Sequence, residues 1–359
     1  MLKINDENIK PNDFRIKKTK INCNFAALKN AAQLSENLQN KLFPGLSNQA
    51  GKVQVGEHQY PMSVMELNHP TGKYVNKILI AIFNAFSRKG VIQTVGNASA
   101  PGLIFPELVS NIGINQFDSA QNKCPIISVN ILGSEQFPDS VTVQAEPFMV
   151  LQLNPLWSNT KEYLSEMSSK YRVRAQKVLT VSSELTKTKL SDLPSNEWIA
   201  PCSALLYQSL QDKTIAIGKN LADLLHCYSK SLGQNFHVFG YYHEGSLVGF
   251  ISCITDENNL FAMHLGMKKG VNEDLKLYQR MLFDLVEFGI ENQVNSINFG
   301  RTGTEIKSCL GAKPVENSFV VFTRSRFLLS LFRIYLKYFR NSKSYTVREP
   351  FKSKSKELA

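Results

Sequence analysis

Residues 236–266 read FHVFGYYHEGSLVGFISCITDENNLFAMHLG. Three runs rich in aromatic and β-branched residues, Phe236–His243, Leu247–Ile254 and Leu260–Gly266, are separated by Glu244-Gly245-Ser246 and Asp256-Glu257-Asn258-Asn259. Such turn residues between apolar runs predict two hairpins, and therefore three consecutive antiparallel strands. Downstream, the spacing predicts an amphipathic helix over Glu273–Glu291, a strand at Val294–Phe299, a short helix at Thr304–Leu310 and a strand at Ser318–Thr323. Upstream, a strand Phe148–Leu153 leads through Pro155 and Trp157 to a long helix, Thr160–Leu185, and a second, Ser203–Leu232, stopped by Gly233. The fold class is thus α/β (α+β), with a mixed, largely antiparallel sheet flanked by helices.

Before residue 145 the pattern is sparser. Helices are expected near Ala26–Leu42, stopped by Phe43-Pro44-Gly45, and over Lys73–Lys89. Short strands are expected at Val91–Val95, Ile126–Leu132 and Val141–Gln144, and Asn97–Gly102 reads as a loop. The expected organisation is a basic arm (1–24), an N-terminal α/β domain (25–145), a second α/β domain (146–325), a basic amphipathic helix (326–341) and a tail (342–359).

Composition narrows the classes. With 43% hydrophobic and 20% charged residues over 359 positions, the chain has ample material for packed cores. It holds no apolar run of the ~18 residues that a spanning helix needs. Its first residues, MLKINDEN, lack the apolar stretch of a signal peptide, so the expected location is cytoplasmic. Six scattered cysteines show neither paired nor zinc-type spacing, so they are expected to be reduced packing residues, with no metal. The net charge is +11, of which residues 320–359 contribute +8 and residues 1–30 contribute +4, leaving the body near neutral. No duplex-reading element accompanies that charge, so DNA is not an expected partner.

The C-terminal charge has a pattern. Arg326, Ser330, Arg333, Lys337 and Arg340 are spaced 4, 3, 4 and 3, one narrow cationic stripe on a helix whose other positions are apolar. Two readings fit: a helix packed on the body with its stripe wet, or an interfacial helix at an anionic membrane or acidic partner. The second implies peripheral contact through 326–340 at the inner face of a membrane.

The order of elements from residue 148 resembles the GNAT acyltransferase fold. Tyr163–Lys177 (YLSEMSSKYRVRAQK) resembles the basic first-helix motif of bacterial GNAT-type proteins allied to the Fem peptidoglycan aminoacyltransferases. Leu277–Asp284 (LYQRMLFD) with Asn298–Lys313 (NFGRTGTEIKSCLGAK) is similar to their helix, glycine strand-end and Phe-Lys…Phe-Gly block, and Arg348–Lys352 to the closing motif of uncharacterised members. Fem proteins often carry two such domains, which implies that the N-terminal region is a degenerate copy.

The resemblance implies an N-acyltransferase in which an amine attacks an activated acyl group within a ternary complex. It implies no tightly bound cofactor, an acyl-CoA such as acetyl-CoA as donor, and an amine acceptor, with a cell-envelope precursor as one candidate. The segment Gly266–Asn272, where donor phosphates would lie, supplies Lys268, Lys269 and Gly270 but lacks the superfamily's Gln/Arg-x-x-Gly-x-Gly/Ala spacing. Aminoacyl transfer from tRNA and a catalytically silent scaffold therefore stay open beside it. The resemblance casts His264 as general base, Tyr278 as proton donor to the leaving group, Lys307 as a catalytic lysine holding the donor's phosphate or carbonyl oxygen, and Arg301 as a donor-binding cation. Lys170, Arg172, Arg174 and Asn298 are the candidate substrate-binding residues. Each has a plainer reading as well: a core histidine, a packed tyrosine, solvated basic residues and a strand-ending asparagine.

Overall fold

The computed structural model describes the strands within 52–67, 91–95 and 126–132, residues 140–210, 215–217 and 221–323, parts of a helix within 326–334, and residues 345–352. The expected arm, the helices 26–42 and 73–89, the loop 97–102 and the residues after 352 lie outside these. Among the described residues the strands form two seven-stranded sheets. In spatial order the first contains β1 (Lys52–Val55), β2 (His58–Leu67), β3 (Val91–Val95), β4 (Ile126–Leu132), β14 (Asn317–Thr323) and β5 (Ser140–Gln144), with β8 (Ile215–Ile217) added beside β2. The second runs β13 (Lys313–Val315), β6 (Phe148–Gln152), β12 (Ser296–Asn298), β11 (Asn259–Met267), β10 (Ser246–Asp256), β9 (Phe236–His243) and β7 (Thr186–Lys189).

The two sheets repeat one pattern. Antiparallel pairs β1–β2 and β2–β3 are followed by the parallel pair β3–β4, then by antiparallel pairs β4–β14 and β14–β5. In the second sheet β9–β10 and β10–β11 are antiparallel, β11–β12 parallel, and β12–β6 and β6–β13 antiparallel. The correspondence gives the N-terminal strands the order of the second sheet. It also shows that β6 and β14 are exchanged, each completing the other sheet. The two crossings touch: the Ala145 N–H donates to Asn317 O at 3.0 Å, and Asn317 Nδ2 donates to Glu146 O at 2.6 Å. The sequence boundary at 145/146 therefore separates the strands in chain order but not in space. Phe148, Met149, Val150 and Leu151 are all buried, the continuous apolar run of a strand covered on both faces.

The second sheet carries helices on both sides. On one face lie α1 (Thr160–Glu166), α2 (Ser169–Val181) and α6 (Leu277–Glu291); on the other lie α3 (Ser195–Leu210) and α4 (Leu221–Leu232). Leu277, Met281, Leu282, Leu285, Val286 and Ile290 of α6 share a core with Leu151, Leu260 and Ile297. On the opposite face a Cβ added to Gly266 would lie 2.6 Å from Leu205 C and Leu206 N, so glycine is what lets the α3 backbone settle on β11.

Three expected helices are broken, each for a visible reason. The long helix 160–185 divides at Met167 and Ser168, both extended: Met167 bridges Phe351, and the Ser168 N–H donates to Pro350 O at 2.8 Å. The closing motif is thus a clasp. Phe351 packs on Trp157 and Tyr163 with ring centroids 5.7 and 5.9 Å away, and it occupies the space where Gly311 would carry a Cβ. The helix expected over 203–232 is two helices with β8 between them, because residues 215–217 pair with β2. The helix expected over 273–291 divides at Lys276, which adopts left-handed geometry (φ 52°) and separates a five-residue α5 (Val271–Leu275) from α6. In the C-terminal segment the described residues Arg326, Phe327, Leu329, Ser330, Arg333 and Ile334 are helical, and the rest of the expected helix 326–341 lies outside the described residues.

Candidate functional site

The site begins where β11 and β12 part. Their parallel pairing covers only Asn259–Phe261 against Ser296–Asn298. Beyond it the Asn298 side-chain oxygen accepts the Gly300 N–H at 2.8 Å, and Gly300 (φ 73°) turns the chain toward Met149, whose N–H donates to Gly300 O at 3.1 Å. β11 bends at the same level. Ile251 pairs with Leu265 but Cys253 pairs with Ala262, so β11 carries one extra residue opposite Ser252. The Ser252 hydroxyl fills the interrupted ladder, accepting from His264 N–H at 3.0 Å and donating to His264 O at 3.1 Å. At its far end β11 is closed by Ser209, whose hydroxyl accepts the Met267 N–H at 3.1 Å. Between those points the backbone edge of β11 facing β12 pairs with no strand among the described residues, a fork where backbone groups can meet a carbonyl.

On the α6 side of the sheet is a cavity of about 350 Å³. Ala175 and Val178 of α2, Leu282 and Phe283 of α6, and Ile306 and Leu310 give it an apolar lining. Arg174, Lys177, Lys276 and Gln279 give it polar and cationic groups, and Tyr171 and Cys309 complete the wall. Lys276 and Gln279 stand at the N-terminus of the 15-residue α6, where the helix dipole adds to the positive field. The acid on the wall, Glu305 of α7 (Thr304–Ser308), is paired with Arg348 at 2.5 Å. Burial pushes the Cys309 thiol up, against the opposing pull of Arg174, so it is a protonated wall group. Tyr278, in the first turn of α6, reaches the turn leaving the fork: its N–H is capped by Asn272 Oδ1 at 2.9 Å, and a Cβ on Gly303 would lie 2.8 Å from its hydroxyl. Burial raises the Tyr278 phenol to about 12, so it stays protonated at neutral pH.

The expected site residues divide among several places. Arg174 lines the cavity, while Lys170 is exposed with its ammonium 6.0 Å from the Tyr171 ring centroid, and Arg172 donates back to Met167 O at 3.4 Å. Lys268, Lys269 and Gly270 are exposed on the turn after β11 and do not line the cavity; the Lys268 N–H is spent on Val248 O at 2.8 Å. Gly270 precedes α5 rather than α6, because the break at Lys276 moves the longer helix's start to the cavity.

His264 faces away from the cavity, toward α4, stacked on Tyr228 with ring centroids 5.7 Å apart. Leu260 and Ala262 face α6, and simple alternation would place His264 beside them; the extra residue reverses it. Burial lowers its imidazole to about 4, leaving it neutral.

Asn298 is fully buried and holds the turn of the fork. Lys307 is 3% exposed and donates to Gly300 O at 3.2 Å and Arg301 O at 2.6 Å, which makes it a strut under that turn. Burial lowers its ammonium to about 7, with Glu146 opposing. Arg301 lies with its guanidinium 5.9 Å from the Phe148 ring centroid, its pKa lowered by burial and raised by Glu146. These two cations belong to the strand-exchange region. Sequence reasoning missed Lys276, Gln279 and Cys309 altogether. Lys177 stood within the basic motif, three residues from Arg174, a spacing that places both on one helix side.

No family model matches the chain, and no curated protein matches it. Among solved structures it is similar to a conserved protein of unknown function from Bacteroides thetaiotaomicron, at 10% identity over 84% of this chain and 98% of that one, TM-score 0.45. It is also similar to FemX (10% identity, 67% and 83% of the two chains, TM-score 0.39) and to L-PGS from Bacillus licheniformis (12%, 68% and 81%, TM-score 0.41). The chain's own element order decides the architecture: a strand, helices, three antiparallel strands, a helix, a parallel strand splayed from a bulged neighbour, a short helix and closing strands. The second sheet with its helices has the element order and strand pairing of a GNAT-like mixed, largely antiparallel sheet flanked by helices.

Proposed function

We propose that the chain is an acyltransferase that moves an acyl group from an anionic carrier to an amine, with acyl-CoA as the donor class. The observation that carries this reading is the fork at the β11 bulge together with a cavity on the α6 side that has an apolar floor, two cations from α2 and one from the start of α6. An apolar tether bearing phosphate fits such a lining, and Arg174, Lys177 and Lys276 are placed to neutralise the phosphate. In the reaction the amine nitrogen attacks the thioester carbonyl carbon, the C–N bond forms, and the C–S bond breaks. The backbone edge of β11 is suited to hold the developing oxyanion. Tyr278 gives its phenolic proton to the departing thiolate, and the proton released by the amine returns to the phenolate directly or through water.

The amine acceptor is the less defined partner. The basic C-terminal stretch supports an acceptor presented on an anionic envelope precursor. Aminoacyl-tRNA is the second donor reading, supported by the same cations and the basic ends of the chain.

Calorimetric titration with CoA and acetyl-CoA tests the donor. Binding at about 1–100 µM, weakened at least about tenfold, or 1.4 kcal/mol, by Arg174→Ala/Lys276→Ala, supports the reading. Absence of heat with either ligand refutes a CoA donor.

A further inference from the structure

We propose that the C-terminal helix docks the protein on an anionic lipid surface. The inference goes beyond acyl transfer and does not rest on it. Within the helix, Leu329 is buried at 6% exposure and Arg333 donates to Ser140 O of β5, at 3.4 Å. That strand is the outer edge of the first sheet, so the helix lies along the edge with its Leu329 side inward. Phe327 and Ile334, seven positions apart and therefore on one side of a helix, are 59% and 50% exposed. Arg326, Ser330 and Arg333 are exposed at angles adjoining them. The outer surface thus combines large apolar groups with guanidinium groups, the composition of a helix lying in a bilayer interface.

The concentration of these features in one stretch distinguishes them from scattered surface apolar residues. Of the eight large apolar side chains exposed among the described residues, Phe327, Ile334, Tyr345 and Val347 fall within twenty-one positions of the chain. The same region carries the charge: residues 320–359 hold ten Lys or Arg against two Glu. Like-charged copies of this surface repel one another, whereas anionic lipid headgroups attract it, and the apolar pair then enters the acyl boundary. Among the described residues no helix is long and apolar enough to cross a membrane, so the contact is peripheral.

The test is co-sedimentation of the full chain with vesicles of phosphatidylcholine, alone or with about a quarter phosphatidylglycerol. The wild-type chain is expected to partition onto the anionic vesicles only, and to be released by about 0.5 M salt. Phe327→Ser/Ile334→Ser is expected to reduce partitioning at least about tenfold, and Arg326→Gln to reduce it further. Melting curves of the variants should coincide with wild type, because the altered side chains are exposed. Failure to bind anionic vesicles overturns the proposal, as does binding that the double serine variant leaves unchanged. A wild-type dimer in sedimentation velocity that the double variant splits, with no vesicle binding, would assign the surface to a second copy of the chain and also overturn it.

Discussion

Replacing Ser252 by alanine removes one hydroxyl and leaves two backbone groups without their partner. Ser252 is fully buried, and its hydroxyl is the acceptor for His264 N–H and the donor to His264 O, at 3.0 and 3.1 Å. The register slip between Ile251 and Cys253 means that the ladder has no alternative donor or acceptor at that level. A buried backbone group stripped of its hydrogen bond costs about 1–3 kcal/mol, so Ser252→Ala should cost about 2–4 kcal/mol after partial relaxation. Both tryptophans of the chain, Trp157 and Trp198, are buried around the second sheet, so urea unfolding followed by tryptophan fluorescence reports on this domain. A loss below about 0.5 kcal/mol would refute the claim that the serine staples the bulge. Because the bulge shapes the fork, the variant should also lose the proposed acyl transfer at temperatures where it remains folded.

Two further outcomes concern pH. His264 has its pKa lowered to about 4 by burial from an ordinary value of 6.5, so the unfolded chain binds more protons between those values. Stability is therefore fully present above pH 6.5 and falls as pH drops toward 4, by about 3 kcal/mol. His237 is lowered similarly, and urea midpoints across this range should show a shallower acid slope in His264→Gln with the His237 part retained. Lys307 has its pKa lowered to about 7 from 10.5, so again the unfolded chain holds the extra proton, now above pH 7. Wild-type stability should rise by about 3 kcal/mol between pH 7 and about 9.5 relative to Lys307→Met; parallel curves for the two proteins would show that Lys307 is not buried as a strut.

The meander of β9, β10 and β11 was legible because glycine, asparagine and aspartate mark its turns and aromatic and β-branched residues fill its strands. The breaks in the helices were not. Thr160–Leu185 reads as one helix, and what divides it is pairing with Pro350 and Phe351 near the other end of the chain. The exchange of β6 and β14 is invisible for a related reason: both read as ordinary strands, and which sheet receives them is a tertiary choice. Among site residues, Arg174 was legible from a dense basic motif. The direction of His264 was not legible, because one extra residue in β11 reverses its side-chain alternation and nothing local in Phe261–Leu265 announces the bulge. Lys307 has the residue type of a donor-binding cation, but only burial and two backbone acceptors show that it supports the turn.

The proposed placement of an acyl-CoA donor in the cavity is tested at Cys309, which forms part of the wall, whereas Cys202, Cys227 and Cys253 are buried. The measurement is the rate of maleimide modification at Cys309, followed by mass spectrometry of its peptide, with and without saturating acetyl-CoA. Occupancy of the cavity should slow modification at least about tenfold. An unchanged rate at saturation would place the donor elsewhere and contradict the account.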